Sequence, residues 1–225
     1  SDGYYPIISN LPDIKQVDFI KMIAAISGTF AVVVNDTTLG FFSVDDIMSK
    51  RHKAYDWTRK VVASFKENKP QEISYSLDDF AQHNLFRWKD DIAVKGDYNS
   101  ALYVEDETIE MERIAIELPF AATDMSLGRA SIPLYDYSGS ETIGEMNSVE
   151  PRLLIEVNNT GKSKASFEGL KWETLLRKNY GTYQKIIRSP IVVSEKIEIS
   201  DIELKELDVT IPVYLGQYGR YYAII

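Results

Sequence analysis

Residues 200–225, SDIELKELDVTIPVYLGQYGRYYAII, contain the strongest local structural signals in the chain. Ser200 and Glu203 have the S-x-x-E spacing of a capping box, which predicts a helical turn over Asp201–Glu206. A tyrosine-rich β-hairpin is expected to follow this turn. In its first strand, the alternation of a β-strand places Val209, Ile211, Val213 and Leu215 on one face and Thr210, Pro212 and Tyr214 on the other.

This hairpin is the predicted interface of the protein. Proline has no N–H to donate to a ladder, so we expect the strand that contains Pro212 to lie at a sheet edge or to have a bulge. The sequence ends on two isoleucines without a polar tail, so we expect this strand to be covered by a continuation of the chain or by a partner. Tyrosine is enriched at interfaces because its ring buries a large area while its hydroxyl remains at the rim. The candidate interface residues are Pro212, Tyr214, Tyr218, Tyr221 and Tyr222, and alternation requires one of the last two to face inward.

Composition restricts the partners of the chain. It has 225 residues, 25 of them basic and 34 acidic, with a formal net charge of −9. Nucleic acid is therefore an unexpected partner, because binding to phosphate needs clustered lysine and arginine. The absence of cysteine excludes disulfides and thiolate metal sites. The longest mainly apolar run, 19–34, contains Lys21 and polar residues near its centre, so no membrane insertion is expected.

The N-terminal region predicts a helix followed by a hairpin. Asp13 and Gln16 resemble a capping box, and Gly28 is placed to end the helix in the left-handed conformation. Phe19, Ile20, Ile23, Ala24 and Ile26 recur at helical spacing, so this helix is expected to be buried on most of its circumference. The runs Thr29–Val34 and Leu39–Val44 then predict two antiparallel strands.

The rest of the chain predicts an α+β fold with short-stranded mixed or antiparallel, barrel-like sheets and a few packed helices. Glycine and serine enrichment marks 124–150 as a flexible segment or seam between a β-rich portion, 1–123, and a second α/β portion, 151–225. A single intertwined domain is the alternative. The second portion is expected to hold a helix from about Leu170, interrupted near Gly181, and a strand over Ile191–Ile199. Predicted strands of the first portion are Val61–Phe65, Glu72–Leu77, Leu85–Trp88, Ile92–Val94, Ala101–Val104 and Arg113–Leu118.

The sequence contains no recognisable catalytic or metal-binding pattern. His52 and His83 are the only histidines and have no partner at i+4, so both are expected at the surface. The adjacent acidic pairs 45–46, 78–79 and 90–91 are interpreted as caps and turns, because neighbouring residues point in different directions. A carboxylate-dependent hydrolase is a third and weaker class, since it would need two carboxyl groups from separate elements beside one cleft. We therefore predict no enzymatic activity and no cofactor.

Three blocks of sequence, in this order, resemble structural proteins of phage and prophage tails in gut Bacteroidetes. The first is LPDIKQVDFIKMIAAISGTFAVV with FFSVDDIM and DWT after it, the second is GLKWETLLRKNYGTYQKII, and the third is ISDIELKELDVTIPVYLGQYGRYYAII. The similar proteins are baseplate, tail-tip or hub-like components, built from small sheets and barrels, that bind their neighbours. The resemblance supplies no catalytic residues.

Two classes of function remain open. The resemblance implies a virion structural protein, assembled in the cytoplasm of the bacterial host, whose partners are copies of itself or other tail and baseplate proteins. The alternative is a secreted or cell-surface carbohydrate-binding module, because exposed tyrosines can stack on sugar rings and the chain is acidic and free of cysteine. In that case the partner is a glycan.

Overall fold

The fold is α+β, as predicted, in a computed structural model that describes residues 13–35, 37–62, 79–132, 135–136, 145–146, 150–159 and 162–224. The described residues form four two-stranded and two three-stranded sheets, none of which closes into a barrel. The α-helices are α1 Gln16–Ser27, α2 Val44–Ser49, α3 Trp172–Asn179, α4 Gly181–Ile187 and α5 Asp201–Lys205. The strands are β1 Thr29–Asn35, β2 Thr38–Ser43, β3 Tyr55–Asp56, β4 His83–Lys89, β5 Ser100–Tyr103, β6 Glu112–Ala121, β7 Asp124–Ser126, β8 Arg129–Ser131, β9 Tyr135–Asp136, β10 Glu145–Met146, β11 Ile155–Asn159, β12 Lys162–Ser166, β13 Val213–Leu215 and β14 Arg220–Tyr222.

The chain divides into two compact units, each assembled from three separated segments. The first unit contains Ser1–Ser27, His83–Leu102 and Glu112–Asn179, and the second contains Gly28–Gln82, Tyr103–Met111 and Tyr180–Ile225. The predicted seam at 124–150 falls within the first unit, and its described part includes the β7–β8 hairpin. The division at this seam remains a prediction.

The first unit is built on an aromatic core beside the sheet β5-β4-β6. Strands β4 and β6 are parallel. Trp172, at the start of α3, is fully buried and lies edge-on to the ring of Phe86, with 5.0 Å between ring centroids. Trp88 contacts the rings of Phe167 and Trp172, at centroid distances of 5.1 and 6.2 Å. These rings attach α3 to the strand β4.

Helix α1 is much less buried than its pattern predicts. Its end is as expected, because Gly28 has a φ of 66°, the left-handed conformation that glycine adopts without strain. It begins at Gln16, three residues after the expected cap at Asp13. Only Met22 and Ala24 of the helix are buried. The predicted burial of most of its circumference is therefore wrong: the apolar side chains Phe19, Ile20 and Ile23 are 44%, 37% and 41% exposed.

Two predicted strands do not form as strands. In the described structure, residues 191–199 contain no strand and make one isolated bridge, between Ile197 and Val61. Ile92–Val94 forms part of a turn, in which the Val94 N–H donates to the carbonyl of Asp91 at 3.0 Å. A strand requires a neighbour along its whole length, which an alternating pattern cannot supply by itself. The predictions for 63–65 and Glu72–Leu77 lie outside the described residues.

The predicted capping box of α5 is confirmed. Ser200 Oγ accepts the N–H of Glu203 at 3.3 Å, and the Glu203 carboxylate accepts the N–H of Ser200 at 3.0 Å. The ammonium of Lys60 donates to the same carboxylate. This hydrogen bond from Lys60, and then those from Ser200, lower the pKa of Glu203 from 4.5 to about 2.

The lowered pKa of Glu203 predicts a loss of stability in acid. Because the pKa is lower in the folded state, this interaction stabilises the fold above pH 4.5, and its contribution is lost as the pH falls through about 2. We expect Lys60→Met to raise the pKa of Glu203 more than Ser200→Ala does, as measured by NMR titration of the carboxyl group. Lys205→Met is the control, since Lys205 makes no ion pair within the described part of the chain. An unchanged pKa in Lys60→Met would contradict this account.

Candidate interface

The predicted interface forms a three-stranded sheet in the second unit. Strand β13 is central, with β14 antiparallel on one side and β3 parallel on the other. The expectation that Pro212 places its strand at an edge is therefore wrong. Pro212 precedes the first residue of β13, and its carbonyl accepts the N–H of Tyr55 at 3.1 Å. Proline lacks only the donor, so a position just before the strand costs the ladder no hydrogen bond.

The turn between β13 and β14 is held closely against the chain after β3. The Gly216 N–H donates to Thr58 Oγ1 at 2.8 Å. A Cβ atom on Gly216 would lie 2.8 Å from the same oxygen, so a side chain does not fit there without movement. Gly219 has a φ of 62°, which allows the chain to reverse into β14. This packing fixes the register of the hairpin.

The predicted alternation of the first strand is confirmed only within β13. Residues 209–211 form a turn in which Thr210 is buried and Val209 is exposed, so the prediction for this part is wrong. Val213 and Leu215 are buried, at 4% and 5% exposure. Tyr214 and Tyr221 are paired directly across the strands on the opposite face, with 5.0 Å between ring centroids and 47° between ring planes. Tyr221 is 45% exposed, whereas Tyr214 is half-buried. We call the side chains of Tyr214 and Tyr221 the tyrosine face.

The other two tyrosines pack inside the second unit. Tyr222 lies opposite Val213 and so shares the inward face, which confirms that one of the adjacent tyrosines turns inward. Tyr218 lies edge-on to the Tyr222 ring, with 6.1 Å between centroids, and its hydroxyl donates to the carboxylate of Glu195. Both side chains are half-buried and engaged within the chain.

Pro212 is less exposed than a residue of the predicted interface should be. It is among the fully buried side chains, so it is not accessible to a partner in this conformation. Of the five candidates, the structure brings Tyr214 and Tyr221 together at the surface. Their role as an interface remains a prediction.

A second surface, on the β1–β2 hairpin, was not foreseen from the sequence. Ala31 pairs with Phe41 and Val33 pairs with Leu39, so these four side chains share one face. Val33 is 74% exposed, and Leu39 and Phe41 are each 42% exposed. We call Ala31, Val33, Leu39 and Phe41 the hairpin face.

The opposite face of the β1–β2 hairpin contacts the rest of the second unit. The Phe30 ring lies edge-on to Tyr183 of α4, at 6.1 Å between centroids, and the ammonium of Lys50 lies 5.0 Å from the centre of the Phe42 ring. The sequence contained a signal for this arrangement: apolar residues occupy consecutive positions in both strands, whereas a strand with one solvated face alternates. Apolar residues on both faces indicate that both faces can be covered.

The candidate metal and acid residues behave as structural residues. His52 and His83 are exposed, as predicted. Asp46 belongs to a capping box at the start of α2, where its carboxylate accepts the N–H of Ser43 at 2.8 Å and the hydrogen bonds from Ser43 lower its pKa. Among the residues that the structure describes, no three histidine, cysteine or acidic side chains are grouped so as to hold a metal ion. Within the same residues, no helix is long and apolar enough to span a membrane.

Comparison with known proteins identifies no relative. No protein-family model matches the chain, and no curated protein and no solved structure shows significant similarity to it.

Proposed function

We propose that this chain is a non-enzymatic structural component of a phage or prophage tail, part of a baseplate, tail-tip or hub-like protein. It acts by binding copies of itself or other tail proteins, in a virion assembled in the cytoplasm of the bacterial host. The sequence resemblance of the three blocks supports the tail assignment. The observation that supports assembly as the mode of action is the exposed apolar hairpin face.

The hairpin face has the chemistry of a surface that another protein covers. An isolated two-stranded hairpin is marginally stable in water, and β1 and β2 form such a hairpin with one face on the second unit. Grouped apolar side chains exposed at a surface are typical of protein interaction sites. Complete burial of a valine, leucine or phenylalanine side chain stabilises a complex by roughly 1.5–3 kcal/mol. Val33, Leu39 and Phe41 together would give a substantial share of a binding free energy.

The tyrosine face favours the same mode of action over glycan binding. A sugar stacks on a flat, open ring, but the Tyr214 and Tyr221 rings are inclined at 47°, and even the more exposed Tyr221 is only 45% exposed. The two rings therefore do not form one flat platform for the apolar face of a sugar ring. A glycan array tests the alternative: binding that is lost in Tyr221→Ala would favour a carbohydrate-binding module.

The assembly proposal predicts a specific effect of charge on the hairpin face. We expect the chain, or a version extended beyond Ile225, to form a defined oligomer or to bind other tail proteins. Val33→Asp is expected to weaken that association by roughly 100-fold, because it removes apolar burial and forces the desolvation of a carboxylate. Light scattering over a range of concentrations, with pull-down of separately purified tail proteins, measures the effect.

The matched control is Ile202→Asp. Ile202 is also apolar and 69% exposed, but it lies on α5 rather than on the hairpin face. Association should be unchanged in this variant. A single-chain mass for both lengths at all concentrations, together with no binding to tail proteins, would rule out the proposal. Equal weakening by Ile202→Asp would show that the hairpin face is not the surface responsible.

A further inference from the structure

A groove lies beside strand β6 in the first unit. In the described part of the chain, β6 is the last strand of the sheet β5-β4-β6. Among the described residues, a contact covers the end of this edge: the Ala121 N–H donates to the carbonyl of Pro151 at 2.9 Å, and a bridge joins Ala121 to Arg152. Before this point, the outer edge of β6 is not paired with another described strand.

The groove follows this edge. It has a volume of about 980 Å³ and is lined by five consecutive residues of β6, Ala115–Pro119. Pro151, whose carbonyl accepts the Ala121 N–H at the outer edge, also lines the groove, so the groove lies on this side of the strand. Five strand residues span about 16 Å, the length of a short extended peptide.

Helix α1 provides the opposite wall of the groove. Asp18, Lys21, Met22 and Ala25 line it at spacings of three and four residues, so one side of the helix runs along it. Met22 and Leu118 are both 2% exposed and give this cleft apolar side chains at its base. A groove between a helix and a free strand edge is the geometry in which a peptide adds to a sheet.

The charges around the groove favour a basic occupant. Two of its acids are already paired: Glu150 with Lys89 at 2.7 Å, and Asp90 with Arg87 at 3.1 Å. The remaining charged residues of the lining are Asp13, Asp18 and Glu117 against Lys21. All three of these acids are exposed. The rim therefore has an excess of negative charge that complements lysine or arginine.

We propose that this groove binds an extended, lysine- or arginine-bearing segment of another protein, which adds to β6 as a further strand. Main-chain hydrogen bonds to the edge provide affinity, and the acidic rim selects basic side chains. Pro119 has no N–H, so the pairing lies N-terminal to it. The site belongs to the first unit and does not depend on the tail assignment, the hairpin face or the tyrosine face.

Binding of defined peptides to the full chain tests this proposal. The probe is a fluorescein-labelled short peptide of alternating lysine and valine, compared with its glutamate–valine counterpart by fluorescence anisotropy. We expect the cationic peptide to bind roughly tenfold or more tightly than the acidic one. N-methylation of alternate amides along one edge of the peptide should abolish binding. Hydrogen exchange should slow for amides of residues 115–118 when the cationic peptide is bound.

Charge reversal on the chain identifies the groove as the site. The double variant Asp18→Lys/Glu117→Lys should weaken binding of the cationic peptide by roughly tenfold, since it places positive charge on both walls of the groove. The control is Glu112→Lys, on the same strand but outside the lining, which should change the affinity by less than about twofold. Far-UV circular dichroism verifies that the variants are folded.

Three results would overturn the proposal. Equal binding of the N-methylated peptide would exclude strand addition. An equal effect of Glu112→Lys would exclude recognition in the groove. Failure of every peptide to bind would mean that the groove is not a peptide site, and light scattering would then show whether a second copy of the chain occupies it.

Discussion

Replacing Trp172 by alanine is expected to lower the free energy of unfolding by about 3–5 kcal/mol, the cost of truncating a large buried aromatic side chain. Trp172 has no exposed surface and contacts the rings of Phe86 and Trp88. Its removal leaves a cavity at the junction of α3 and β4, the contact around which the first unit is built. Urea denaturation followed by far-UV circular dichroism measures the change.

Two further variants separate the packing of the ring from its polarity. The indole Nε1 of Trp172 has no hydrogen-bond partner among the described residues. Trp172→Phe keeps most of the apolar ring and removes this donor, so it should cost less than half as much as Trp172→Ala. Ile92→Ala, at a side chain that is 84% exposed in the same unit, should change stability by no more than about 0.5 kcal/mol. A loss of less than about 1 kcal/mol in Trp172→Ala would show that this core is not as closely packed as described.

Asp91→Asn is expected to lower the free energy of unfolding by about 3–5 kcal/mol, because it removes the carboxylate that pairs with the buried guanidinium of Arg152. The Asp91 carboxylate has no exposed surface and lies 2.5 Å from Nη2 of Arg152, whose side chain is 7% exposed. It also accepts the N–H of Ala93 at 2.7 Å and the N–H of Glu150 at 2.9 Å. One carboxylate thus joins the turn at 91–93 to the segment 150–152, and an amide cannot replace all of these acceptor contacts.

The adjacent residue provides a matched control. Asp90 pairs with Arg87 at 3.1 Å, but its side chain is 79% exposed. Asp90→Asn should therefore cost no more than about 1 kcal/mol, since exposed ion pairs contribute little to stability. Denaturation of the two variants under the same conditions compares them. Equal losses of unfolding free energy in the two variants would mean that the buried ion pair contributes no more to stability than the exposed one.

Features that depend on a few neighbouring residues were predictable. The capping box of Ser200 and Glu203, the left-handed Gly28 after α1 and a helix break near Gly181, which falls at Tyr180, all occur as expected. Each depends on hydrogen bonds or backbone geometry within about one turn of helix. The α+β class follows from the same local signals, because it requires only the types of element and not their arrangement.

Features that depend on distant residues were not predictable. The alternation of Ile191–Ile199 is typical of a strand, yet no long partner pairs with it in the described structure. The apolar stripe of α1 predicts burial, but Phe19 and Ile23 remain exposed. Pro212 suggested an edge strand, but the chain places it one residue before a central one. In each case the pattern indicates what a segment can pair with or bury, and the neighbours decide whether it does.

The candidate interface also combines features that the sequence predicted with features that depend on the tertiary structure. The sequence determined the alternation of β13 and required that Tyr221 and Tyr222 face opposite sides, since both follow from the geometry of a strand. Only the tertiary structure decided that Tyr222 packs inward with Tyr218, that Tyr221 stays exposed, and that a second apolar surface lies on the β1–β2 hairpin.

Asp90 and Asp91 show most clearly what the local sequence determines and what depends on tertiary contacts. The sequence alone determined that both lie at a turn and that adjacent side chains diverge. It could not distinguish them, because their chemistry is identical and their local contexts overlap. The tertiary structure decided that Asp91 is buried against Arg152, 61 residues away, while Asp90 remains in water. Burial and charge pairing depend on the segments that folding brings together, and this sets the difference in stability expected between the two substitutions.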